Sequence, residues 1–138
     1  MKNKLLIIFT LLSLFIFIPS TNALSDTYED KIADITKTKV EENVINIYFF
    51  RGEGCPHCQE AEEWFDSIKG EYGDLFTVVD YETWNNQDNA KLMEAIAKLR
   101  GETVEGVPYI IIGNKSWNGF TESYEQEMIN EIKSNYSY

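Results

Sequence analysis

The chain holds two cysteines and one histidine, and all of them lie within Gly54-Cys55-Pro56-His57-Cys58. Upstream, residues 44–50 form an apolar run of β-branched and aromatic side chains. Downstream, residues 59–68 show the apolar spacing of a helix. Two cysteines separated by two residues at a strand-to-helix junction are what a dithiol/disulfide redox centre needs. The junction restricts the fold to one in which a buried strand hands the chain to a helix N-terminus.

The chemistry follows from that position. Unpaired backbone N–H groups and the helix dipole at Cys55 favour negative charge, which lowers the thiol pKa and yields a thiolate at neutral pH. Pro56 fits the first helical turn, where no N–H is missed. Cys58, one turn further in, is placed to attack a mixed disulfide formed at Cys55. His57 adds a donor or a positive charge close to the Cys55 sulfur. Whatever stabilises the thiolate stabilises the reduced form and makes the disulfide a stronger oxidant.

Other uses of the motif fit less well. A bridge across so short a loop removes little unfolded-state entropy, so it makes a poor structural staple. A tetrahedral zinc site needs a second ligand pair, and none exists. Haem attachment requires a histidine after the second cysteine, where Gln59 stands. No metal and no dissociable cofactor is expected, only the redox-active Cys55–Cys58 disulfide.

The first 23 residues read as a secretory signal peptide. Lys2 and Lys4 precede an apolar run over residues 5–18, Pro19 ends it, and Thr21-Asn22-Ala23 offers a small-residue cleavage site. The rival reading is a retained anchor, although the run falls short of the roughly 20 residues a spanning helix requires. Under either reading the domain lies outside the membrane. Residues 24–43 then form an N-terminal helix and connector, and residues 44–138 one domain. The formal net charge of −11 excludes nucleic acid as a ready partner, because its affinity rests on Lys and Arg neutralising phosphates.

Along the chain, periodicity predicts a helix over 25–39, a strand over 44–50 buried on both faces, and a helix behind the motif ending in 70–73. A strand over 75–81, a capping loop over 85–89 and a helix over 90–100 with Leu92, Met93, Ile96 and Leu99 inward come next. A strand over 106–112 opens with Pro108, turns at Gly113-Asn114 and returns over 116–120. A last helix begins near Ser123, where Ser123 and Gln126 match a capping box. The order α-βαβα-ββα describes an α/β fold, a mixed central sheet flanked by helices. Trp64, Phe65 and residues 109–112 are assigned to the core. Trp84 and Trp117 are assigned there too, with a place beside a substrate groove as the alternative. Arg51 would favour a thiolate at Cys55 and Glu53 and Glu60 oppose it, unless all three are solvated surface charges.

Proline usage adds a second signal. Pro108 is awkward at a buried strand unless the site needs it, and a cis Val107–Pro108 bond would be such a need. Cys-Pro-His-Cys after a buried strand, followed by Gly106-Val107-Pro108 opening another, resembles the thioredoxin superfamily over residues 44–136. The His-containing dipeptide and Val107 are similar to DsbA-type oxidases. The resemblance implies a thioredoxin-like fold, Cys55 as nucleophile and Cys58 as resolving thiol. It also implies Pro108 against the cysteine pair and the Val107 backbone holding substrate peptide. The chain departs from the family at Phe49, where a buried acid is usual, at Gly54, where tryptophan is common, and in lacking DsbA's helical insertion. The implied activity is disulfide exchange with exported cysteine-containing proteins, recharged by a membrane or extracytoplasmic redox partner. An oxidase is favoured over a thioredoxin-like reductase, and a redox-inactive binding module remains the non-enzymatic alternative.

Overall fold

The computed structural model describes residues 23–36 and 44–134. Nearly all of the expected signal segment, the connector over 37–43 and the last four residues therefore lie outside the described residues. The elements run α1 (Ala23–Thr36), β1 (Ile45–Arg51), α2 (Pro56–Tyr72), β2 (Phe76–Glu82), α3 (Gln87–Leu99), β3 (Tyr109–Ile112), β4 (Lys115–Asn118) and α4 (Glu122–Ser134). Among these residues the sheet order is β2-β1-β3-β4. β1 runs parallel to β2 and antiparallel to β3, and β3 pairs antiparallel with β4. This is the expected thioredoxin-like mixed sheet with helices on both faces.

β1 explains why the sheet is covered twice. Successive side chains of a strand point to opposite faces. Ile45, Ile47 and Phe49 pack with Ala61, Trp64, Phe65 and Ile68 of α2 and with Met128 and Ile132 of α4. Tyr48 and Phe50 face the other way, onto Ile35 of α1 and Leu92, Met93 and Ile96 of α3. Each fully buried aliphatic or phenyl side chain adds about 1.5–3 kcal/mol, so an unbroken apolar run is what a central strand requires. α1 lies over α3, where the Tyr28 hydroxyl donates to the Lys91 carbonyl at 3.2 Å.

Several boundaries differ from the expectation. α2 continues through Gly70 to Tyr72, because one glycine costs a helix only about 1 kcal/mol. α3 starts at Gln87, capped by Asn86, whose side chain accepts from the Asp88 and Asn89 N–H groups. Leu99, expected inside, is 64% exposed at the end of α3, and Ala97 is buried. The capping box at Ser123 is replaced by Thr121, whose hydroxyl accepts from the Ser123 N–H at 3.1 Å, and the helix begins at Glu122. The third strand starts at Tyr109, after a cis Val107–Pro108 peptide. The turn at Gly113-Asn114 stands as expected, with Gly113 at φ 56°.

Candidate active site

The carboxyl end of β1 delivers the chain into a turn through Gly52, Glu53 and Gly54. Gly54 sits at φ 76°, a left-handed conformation in which a tryptophan would be strained. The turn closes when the Cys55 N–H donates to the Gly52 carbonyl at 3.2 Å. Cys55 then caps α2, its Sγ accepting from the Cys58 N–H at 3.2 Å. Ser, Thr, Asp or Asn normally supplies that acceptor; here a sulfur does. Pro56 is the first helical residue, and the Gln59 N–H donates to the Cys55 carbonyl at 3.1 Å.

Cys55 and Cys58 form a disulfide with Cα atoms 5.2 Å apart. Both are buried, in one cluster with Phe49. Phe49 meets Phe65 edge-on at 5.5 Å between centroids, so an aromatic ring occupies the position where the resemblance to thioredoxins and DsbA implies an acid. On the other side, the Val107 carbonyl oxygen lies 3.8 Å from Cys55 Sγ. Pro108 is fully buried, and its carbonyl accepts from the Gly119 N–H at 2.7 Å. The loop before β3 is thereby held against the sulfur pair.

The charged neighbours are mostly engaged with one another. His57 is exposed on the outward face of α2, with Nδ1 2.9 Å from Glu60 Oε2. The Arg51 guanidinium donates to both Asp80 carboxylate oxygens at 2.7 and 3.0 Å and lies 3.3 Å from Glu62. The hydrogen bond to Asp80 holds its pKa above the usual arginine value, more than offsetting burial. That guanidinium is committed to β2 and α2.

Two features escaped the sequence, Glu82 and Thr83, and the core assignment of a third residue, Trp84, is corrected. Glu82, at the end of β2, accepts from the Trp84 and Asn85 N–H groups at 2.9 Å and from the Glu53 N–H at 3.3 Å. Burial pushes its carboxyl up, but these three donors outweigh it and hold the group below the usual range. Thr83 is buried, and its hydroxyl donates to the Arg51 carbonyl at 2.9 Å. Trp84, assigned to the core, is instead 59% exposed, because Thr83 takes the inward place and Glu82 pulls the next two amides outward. Trp117 is in the core, its indole N–H donating to Glu127 at 3.2 Å. An acid ending a strand carries no motif, so only the fold reveals this clamp.

Comparison with known proteins agrees with the geometry. The chain is 32% identical over 76 residues to a glutaredoxin of Haemophilus influenzae, a match spanning 55% of this chain and 83% of the relative. The chain belongs to the thioredoxin superfamily of thiol–disulfide oxidoreductases. A solved structure from Chlorobium tepidum, assigned as a thiol:disulfide interchange protein DsbE, is similar with a TM-score of 0.47 and 15% identity. That similarity covers 67% of this chain and 80% of the other. No protein-family model matches the chain.

Proposed function

We propose that the protein is an exported disulfide-exchange enzyme that oxidises cysteine-containing proteins through Cys55 and Cys58. The observation that carries the reading is Cys55 Sγ at the cap of α2, accepting from the Cys58 N–H at 3.2 Å. A thiolate there is stabilised by the helix N-terminus. With Phe49 rather than a carboxylate in the buried cluster, no like charge from that position opposes it. Both effects favour the reduced form, which supports an oxidising poise.

In that direction a substrate thiolate attacks Cys55 Sγ, the Cys55–Cys58 bond breaks, and Cys58 leaves as a thiolate. A second substrate thiolate then attacks the substrate sulfur of the mixed disulfide. The substrate disulfide forms and Cys55 departs as a thiolate. Two electrons have passed from substrate to enzyme, leaving Cys55 and Cys58 as thiolates, and a membrane or extracytoplasmic redox partner removes those electrons. No dissociable cofactor enters the cycle. Val107 would hold the substrate backbone and Pro108 shape that groove, while His57 would tune the thiolate electrostatically. The apolar leader over residues 1–23, followed by the connector and the exchange domain over 44–138, supports export.

The test is catalysed oxidation of a reduced, unfolded protein with two cysteines. The intact enzyme in its disulfide form should accelerate it, and Cys55→Ser should abolish the acceleration. Cys58→Ser, treated with an activated substrate disulfide, should retain a mixed disulfide visible as added mass on a non-reducing gel. Equal rates with and without the intact protein would leave a thioredoxin-fold binding module.

A further inference from the structure

The end of β1 that carries the cysteine turn is flanked on both sides. The strand register sets Arg51 beside Glu82 at the end of β2, and Phe50 beside Tyr109 at the start of β3. The loop after β2 and the loop before β3 therefore stand on opposite sides of the turn. One side presents the Val107 carbonyl to Cys55 Sγ. The other presents Trp84.

Single exposed apolar side chains are ordinary, but Trp84 is held in place. Its indole rests against Gly52, so closely that any Cβ there would collide with the ring. Gly52 is also the residue whose carbonyl closes the Cys55 turn. The Trp84 N–H and the Glu53 N–H both bind the Glu82 carboxylate, and the Asn85 side-chain amide donates to Glu53 at 3.0 Å. The β2–α3 loop and the cysteine turn are thus one clamped unit with an open aromatic face. Leu99, the other large apolar side chain exposed among the described residues, is at the far end of α3, which starts beside the clamp and runs away from it.

Charge indicates what would lie on that ring. Glu53 and Glu82 supply carboxylates to the clamp, Arg51 is engaged by Asp80 and Glu62, and residues 52–54 and 82–86 contain no Lys or Arg. An indole face bordered by carboxylates attracts a cation, by cation–π contact and by simple charge. We infer that Trp84 is a specificity-determining contact for the polypeptide joined to Cys55, selecting cysteines flanked by Lys or Arg over those flanked by Glu. The inference rests on the exchange reading above.

It is tested with two peptide disulfides that differ only by Lys or Glu beside the cysteine, reduced by dithiothreitol with the intact protein as catalyst. The disulfide of 2-mercaptoethanol is run as a third substrate for the wild-type protein. The wild-type kcat/KM should favour the Lys peptide. Trp84→Ala should lower the Lys-to-Glu ratio about two- to fivefold, the range of an exposed cation–π contact, and Trp84→Phe should restore most of it. An unchanged ratio in Trp84→Ala, with all three disulfides still turned over by the wild type, overturns the role of Trp84 and leaves the exchange reading intact. A wild-type protein that turns over none of the three overturns both.

Discussion

Phe49 and Cys55 sit on one core cluster. Phe49 is 1% exposed and couples the disulfide to the α2 face of the sheet through Phe65. Its removal would leave a void in contact with the active site. Phe49→Ala should cost about 3–5 kcal/mol, the range for buried phenylalanine, read as a shift of the urea midpoint at constant m-value. Cys55 acts at two levels, as the capping acceptor of α2 and as the outer sulfur of the pair. Both cysteines and their place at the helix start were legible in the sequence, since the strand run, Pro56 and the helical spacing all act locally.

At the scale of elements, the site is assembled by three loops at one end of the sheet, and these differ in how far the sequence discloses them. The junction of β1 and α2 is a local pattern and was read directly. The loop before β3 was read through Pro108, an unusual residue in an otherwise apolar strand. The loop after β2 is legible only as a helix cap, which Asn86 supplies, because its place at the site depends on Glu82 meeting the amide of Glu53, a contact set by the parallel register of β1 and β2. Trp84 was misplaced for the same reason, as composition favours burying an indole and only the clamp exposes it. The short boundary errors at α2, α3 and α4 have a simpler cause, since caps compete over single residues. Replacing Glu82 with Gln removes a charge from three amide hydrogen bonds. The expected outcome is faster hydrogen exchange at the Glu53, Trp84 and Asn85 amides, with the β1 and β3 amides unchanged.

Across the whole molecule, two buried tyrosines join the sheet to its surroundings on the α1/α3 face. The Tyr48 hydroxyl donates to Asp34 of α1 at 3.0 Å, and the Tyr109 hydroxyl to Glu102 at 2.7 Å. Burial first, and then the neighbouring carboxylates, push both phenols up from 10.0 to about 12. The unfolded chain would lose these protons near pH 10 while the folded chain keeps them. Their contribution is therefore complete below about pH 10 and is lost as pH rises towards 12. Urea midpoints should fall steadily over that window, and Tyr48→Phe should flatten the fall.

The same linkage applies to the redox centre. If the cap of α2 stabilises the Cys55 thiolate and the Phe49 position adds no opposing charge, folding stabilises the dithiol more than the disulfide. The reduced protein should then unfold at higher urea than the oxidised one. The most direct test is the reduction potential of the Cys55–Cys58 couple, measured by equilibration in glutathione buffers. An oxidising centre should titrate near the roughly −120 to −180 mV of strong oxidants and isomerases, whereas a value near −270 mV, that of a reductant such as thioredoxin, would contradict it.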